Sequence, residues 1–207
     1  MRYDYLIDDS NSKNSHTIIA DLIRKGSKVL DIGCSTGFLA KYLRKEKGCF
    51  VVGIEQNEIY FDLAQINCDI LISENIEGND IKNFIDNDFD VIVLGDVLEH
   101  MYNPWQVLKN LKKYLHPNGI ILISLPNIVN WRIRKDVLFG IFRYTDEGIL
   151  DKTHLRFFDL FSAKKMIQEA GYKIDGFDVT SFKIPKFLCK WYPNLLAYQF
   201  IFKISSV

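Results

Sequence analysis

The sequence predicts an α/β protein built on a doubly wound, mostly parallel sheet, and three observations lead there. Short β-branched apolar runs alternate with helical stretches between Lys28 and Leu125, the rhythm of repeated strand–helix–strand units. The first run ends in a glycine turn that opens straight into a helix. Asp31, Glu55, Asn75 and Asp96 each fall where a run ends, and ligands of such sheets bind at the carboxyl ends of the strands. The 207 residues are 48% apolar and 25% charged, enough apolar material for one substantial core. One domain over 1–207 is expected, with an N-terminal arm at 1–14 and an insertion at 126–160.

Residues 1–14 are polar apart from a few apolar and aromatic side chains such as Tyr3 and Tyr5, and are expected either to order over a ligand or to fray. They lack the apolar segment of a signal peptide. No run approaches the about 18 apolar residues of a spanning helix, so a cytoplasmic protein with no transmembrane segment is expected. Cys34, Cys49, Cys68 and Cys189 form no C-x-x-C pair, which fits reduced, buried thiols.

Asn14 or Ser15 can cap a first helix with Ile18, Ile19, Leu22 and Ile23 as its apolar stripe, running to about Lys25 and ended by Gly26. Strand one is Lys28–Ile32. The next helix starts near Phe38, carries Leu39, Tyr42 and Leu43 on one face, and stops at Gly48. Strand two is Phe50–Ile54, followed by a helix at 58–65, a short strand at 69–72 and a polar turn from Ser73 to Glu77. Strand four, 89–94, is apolar enough to be central. Asn103 caps a helix with Pro104 in its first turn and Gln106 at the capping-box position. His116-Pro117-Asn118-Gly119 makes a turn before strand five at 120–125. The stretch 126–160 is too long for an ordinary connection and reads as a substrate cap. Asp159 caps a helix that ends at Gly171, and 172–179 and 199–204 read as the last two strands. Between them 182–197 is rich in aromatic residues and lysine. It is expected to meet a lipid surface, a second subunit or the substrate, or to fold onto its own core.

Charge is split along the chain. Residues 1–125 hold 13 basic and 18 acidic residues, net −5; residues 126–207 hold 13 basic and 8 acidic, net +5. The total is zero, so no global field draws the protein to nucleic acid.

The glycine turn narrows the ligand. Gly33 and Gly37 are spaced G-x-x-x-G, not the G-x-G-x-x-G of dinucleotide sites. Asp31, two positions before Gly33, would repel a pyrophosphate and attract a cationic amine. Glu55 ends the second strand, where an acid can accept both ribose hydroxyls. S-adenosylmethionine, with an ammonium, a sulfonium and a ribose, fits all three.

Val29-Leu30-Asp31-Ile32-Gly33-Cys34-Ser35-Thr36-Gly37, Val52-Gly53-Ile54-Glu55, the run Asp90-Val91-Ile92-Val93-Leu94-Gly95-Asp96-Val97-Leu98-Glu99-His100, and Leu115-His116-Pro117-Asn118-Gly119 together resemble the class I S-adenosylmethionine-dependent methyltransferases. The resemblance covers nearly the whole chain. It implies a Rossmann-like, seven-stranded sheet whose last strand is antiparallel. It also implies roles: Asp31, Gly33 and Gly37, with Cys34 between them, at the methionine part of the cofactor; Glu55 at the ribose; Gln56, Asn75 and Ile76 around the adenine; Gly95 and Asp96 at the methionine end. The segment from Phe142 to Phe158 resembles, more narrowly, bacterial methyltransferases encoded with polysaccharide and glycolipid biosynthesis enzymes.

Transfer to a hydroxyl needs a base or a metal. His100 and His154 are the candidate bases. Asp96, Glu99, His100 and His154 also resemble the metal set of ubiquinone-pathway O-methyltransferases and small-RNA 2′-O-methyltransferases, so a divalent cation is carried as the alternative to a metal-free histidine base; a purely structural Glu99-His100 is a third reading. His16 reads as structural or cofactor-side, and His116 as exposed. The expected activity is O-methylation of a saccharide or another small hydroxylated metabolite, with S-adenosylhomocysteine as product, by a monomer or homodimer. Three alternatives stand beside it: a nicotinamide-dependent oxidoreductase, a cofactor-binding assembly partner without catalysis, and a nucleic-acid ribose methyltransferase. The last is disfavoured by six basic against five acidic residues over 126–160.

Overall fold

The computed structural model describes residues 14–78, 88–182 and 184–207. The expected arm at 1–14 lies outside them except for Asn14. Seven strands, β1 (Lys28–Ile32), β2 (Phe50–Ile54), β3 (Ile70–Ile72), β4 (Phe89–Gly95), β5 (Leu115–Pro126), β6 (Tyr172–Thr180) and β7 (Gln199–Ser206), form one sheet. Its order is β3-β2-β1-β4-β5-β7-β6. The pairs from β3 to β5 are parallel, and β7 runs antiparallel to both β5 and β6. The order reverses between β1 and β4, which opens a crevice at their carboxyl ends. This is the expected mostly parallel sheet with an antiparallel last strand.

The central strands feed two cores at once. Leu30, Ile32, Ile92, Leu94, Ile121 and Ile123 face one layer, and Val29, Val51, Val91, Val93 and Leu122 the other. That double burial is why these strands read as unbroken apolar runs rather than as alternating ones. The helices α1 (Ser15–Leu22) and α2 (Phe38–Lys47) cover the second layer, while α4 (Pro104–Leu111) and α6 (Leu160–Glu169) cover the first. The short α3 (Glu58–Ala64) follows β2.

β5 begins at Leu115 rather than at 120, so the expected turn at 116–119 falls inside it, as a break in its register with β4 between Phe89 and Val91. Three further local expectations change. α1 ends at Leu22 rather than near Lys25, because the Lys47 ammonium reaches back to the carbonyls of Ala20 (2.6 Å) and Ile23 (2.8 Å) and closes its end. The capping box at Asn103 is half made. Its side chain accepts from Gln106 N, but the Gln106 amide turns to Asn110, and Glu77 accepts the Asn103 N–H at 2.8 Å instead. The stretch 182–197 contains two short helices, α7 (Lys186–Trp191) and α8 (Pro193–Leu196).

The insertion after β5 leaves and rejoins the fold at one root. Asn127 and Phe158 bridge, and the buried amides of Asn127 and Asn130 both donate to the Ala197 carbonyl, at 2.9 and 2.8 Å. Within it α5 (Trp131–Leu138) is capped by Asn130. Cys34, Cys49, Cys68 and Cys189 are free and buried. Among the described residues no helix is long and apolar enough to cross a membrane.

Candidate active site

Asp31, Glu55 and Asp96 meet along the crevice because three adjacent parallel strands end together: Ile32 pairs with Ile54 on one side and Leu94 on the other. The chain then turns at Gly33, whose φ of +68° suits glycine. A side chain there would strike Val97 at 2.7 Å. Ser35 (φ +50°) and Gly37 (φ +73°) continue the left-handed path into α2.

Asp31 is 4% exposed, and its Oδ2 has no hydrogen-bond partner. Burial, and then the charge of Glu55, push its carboxyl up to about 7. Glu55 is itself buried; its Oε2 accepts from Ser35 N at 2.9 Å and its Oε1 from Asn57 N at 2.8 Å. Each carboxylate oxygen keeps a further lone pair. The hydroxyl of Ser35 is buried without a partner. Two buried acids acting on one another make a site that a positively charged ligand completes. The ammonium and sulfonium of S-adenosylmethionine supply that charge, and its ribose diol matches the free lone pairs of Glu55. The residues present fit this cofactor.

Other expected contacts sort unevenly. Cys34 turns inward. Its N–H donates to Ile54 O, its carbonyl accepts from Gly37 N, and its thiol packs over Gly53 with that of Cys68. It therefore serves the fold of the loop and presents no free polar group. Gln56 is exposed, and Ile76 packs against the larger core. The Asn75 amide oxygen accepts from Glu77 N at 2.9 Å, so its own turn already uses one of the lone pairs expected for adenine. Gly95 is crowded by the His16 ring, whose Nε2 lies 3.4 Å from where a side chain would begin. His16 thus reaches the methionine end, held edge-on against Phe38. Burial lowers its pKa against the pull of Asp96.

Asp96 departs from the expected metal set. Its φ is +56°, and its carboxylate is held by the Ser124 hydroxyl at 2.7 Å and by the Gln199 amide at 2.8 and 2.9 Å. It lies outside the cluster formed by Glu99, His100 and His154, whose donor atoms all lie within 4.8 Å of one another. The expected four-residue set is three among the described residues. No local pattern announces Ser124 or Gln199. The Gln199 contact spans 103 residues.

The histidine pair is built by the cap. Leu155 N and Arg156 N both donate to the Glu99 carbonyl, at 2.8 and 2.9 Å, pinning the loop onto the turn after β4. The two rings then stand edge to face, with centroids 4.7 Å apart. His100 Nδ1 lies 3.2 Å from the Thr153 carbonyl, and His154 Nδ1 lies 3.1 Å from the Ile149 carbonyl. A carbonyl only accepts, so each Nδ1 carries a proton, and in the neutral ring the lone pair is on Nε2. Burial, and then His100, lower the pKa of His154, which keeps it neutral at pH 7. Glu99 is 1% exposed with Oε2 unpartnered; burial and the charge of Asp96 raise its carboxyl well above the usual range. Asp151, which accepts from the Thr153 hydroxyl at 2.7 Å, supports His100 from behind.

Comparison with known proteins agrees with this architecture. The family model described as "Methionine biosynthesis protein MetW" matches residues 13–204, and the chain belongs to that family. Over 105 residues it is 35% identical to phosphoethanolamine N-methyltransferase 1 of Zea mays, covering 49% of this chain and 21% of that protein. Over 116 residues it is 34% identical to the mitochondrial ubiquinone biosynthesis O-methyltransferase of Dictyostelium discoideum, covering 50% and 36%. The matched stretch is less than half the length of either relative. The magnesium protoporphyrin IX methyltransferase of Synechocystis, solved with bound S-adenosylhomocysteine, superposes with a TM-score of 0.65 at 16% identity, over 93% of this chain and 80% of that one. The fold is that of the class I S-adenosylmethionine-dependent methyltransferases.

Proposed function

We propose that this MetW-family protein methylates a hydroxyl group of a small acceptor, with a saccharide as the favoured class. The observation that carries the reading is the His100–His154 pair. Two imidazoles stand edge to face, each with its Nδ1 on a backbone carbonyl, and burial lowers the pKa of His154, which suits it to accept a proton at Nε2. Asp31 and the glycine turn hold the amino acid part of the cofactor, Glu55 holds the ribose, and Asn75, Gln56 and Ile76 border the adenine. The cofactor supplies an electrophilic methyl carbon on a cationic sulfur. In an in-line transfer of that methyl to the acceptor oxygen, with the thioether as leaving group, His154 Nε2 would take the hydroxyl proton. His100 packs against that ring and orients it. Positioning supplies much of the rate, and the base removes the remaining proton barrier. The saccharide class rests on the resemblance of the Phe142 to Phe158 segment to methyltransferases of polysaccharide and glycolipid assembly. The O-methyltransferases among the relatives favour oxygen as the acceptor atom.

A second reading has its own support. Glu99, His100 and His154 each bring one donor atom within 4.8 Å of the others, a set of two imidazoles and one carboxylate that suits a divalent transition cation. The carbonyls on each Nδ1 fix the rings as ligands. A bound cation would polarise the acceptor oxygen in place of the base.

Transfer of labelled methyl from S-adenosylmethionine to a panel of sugars and hydroxylated metabolites tests the proposal. Turnover that His154→Ala abolishes and a chelator leaves unchanged supports the histidine base. Turnover lost to the chelator and restored by added cation supports the metal. Label found on amines alone would reject both.

A further inference from the structure

We infer that the α5 prong is a docking element for an anionic lipid surface. Every residue over 134–148 is exposed, and α5 contributes no buried residue. A helix in a globular protein normally buries one face; this one projects from the root at Asn127 and Phe158. Its end and the following turn carry Leu138 (82% exposed), Phe139 (70%), Ile141, Phe142 and Tyr144. Contiguous exposed aromatic and aliphatic groups of this kind mark an interaction surface. Arg134, Lys135 and Arg143 are interleaved with them, and over 131–144 four basic residues face one acid, Asp136.

The chemistry selects among occupants. A second copy meeting the same patch across a two-fold axis would set arginine against arginine. A small acceptor needs a concavity, and α5 is convex. A nucleic acid would take the arginines but leave Leu138 and Ile141 without partners. An anionic bilayer satisfies both sets: the apolar tip enters the headgroup–acyl boundary while the long basic side chains snorkel to lipid phosphates. The segment 182–197 suits this role less well, because the ammonium groups of Lys186 and Lys190 are already paired with Asp178 at 2.6 and 3.1 Å. Arg132 lies over both the Trp131 and Phe182 rings, at 5.5 and 5.8 Å from their centroids. Phe182 thus extends the apolar tract from α5. The prong rises from the carboxyl end of β5, the same edge of the sheet as Asp31 and Asp96, so docking would turn the reaction crevice toward the membrane. The inference does not depend on which acceptor is methylated.

Co-sedimentation with vesicles tests it, using the full chain, phosphatidylcholine alone, and phosphatidylcholine mixed with phosphatidylglycerol. The wild type is expected to bind the mixed vesicles, with a blue shift of tryptophan emission, and to be released by salt. The triple variant L138S/F139S/F142S and the double variant R134E/R143E should each bind at least about tenfold more weakly, with S-adenosylhomocysteine affinity unchanged as the check on folding. No binding of the folded wild type, equal binding by either variant, or equal binding to neutral vesicles would overturn the inference. So would a wild-type dimer that the triple variant converts to monomer in the absence of vesicle binding.

Discussion

The cofactor edge and the acceptor cap are built on opposite principles. At the cofactor edge each functional group sits on a strand end, and its place follows from sheet register: Asp31 pairs beside Gly53 and Val93 in the middle of the sheet, and its carboxyl is buried. In the cap the functional groups sit on loops, and His154 reaches His100 only because two backbone N–H groups clasp the Glu99 carbonyl. The edge carries buried charge that waits for a ligand; most of the cap lies open. A cofactor common to many reactions is held by the rigid part, and the acceptor, which differs between relatives, meets the adjustable part. The two should therefore fail separately when mutated.

The largest separation is expected at the histidines. His154→Ala should lower kcat by about 10²–10⁴-fold while the affinity for S-adenosylhomocysteine changes by less than about twofold, as read by steady-state kinetics and calorimetry. A matching loss of cofactor binding would break the contrast. Next comes Glu55→Ala, which removes two charge-assisted contacts. It should weaken S-adenosylhomocysteine by roughly 2–4 kcal/mol, measured by calorimetry.

Asp31→Asn should weaken the same ligand by about tenfold or more and yet stabilise the unliganded protein. The folded pKa of Asp31, about 7, lies above its unfolded value. Its contribution to stability is then present below the unfolded pKa and is lost as pH rises toward about 7. Relative to the variant, the wild type should lose up to about 4 kcal/mol across that window, which urea unfolding at several pH values would reveal. The smallest effect concerns His154. Because burial lowers its pKa, the acid limb of kcat should fall below the ordinary imidazole value of about 6.5. A limb above that value would mean that the base is a different group.

The same contrast explains what could be read from the sequence. β1, β2 and their terminal acids were legible because doubly buried strands and glycine turns leave local marks: Lys28–Ile32 and Phe50–Ile54 occupy the expected bounds. Glu99, His100 and His154 were legible as residue types, since an acid and two histidines at those places resemble a known set. The exclusion of Asp96 from that set was not legible, because Ser124 and Gln199 reach it across the sheet from distant positions. The inward turn of Cys34 depends on the empty side of Gly53, a tertiary fact. The tautomers of the histidine pair depend on the carbonyls of Thr153 and Ile149, which any residue could provide. In the 182–197 segment, composition showed aromatic and basic residues but not that Asp178 neutralises two of the lysines.

Calorimetric titration of S-adenosylhomocysteine into the wild type, Glu55→Ala and His154→Ala tests the central claim most directly. The account predicts binding by the wild type, a loss of at least about tenfold in Glu55→Ala, and an unchanged constant in His154→Ala. A folded wild type that does not bind, or a Glu55→Ala variant that binds as the wild type does, would contradict it.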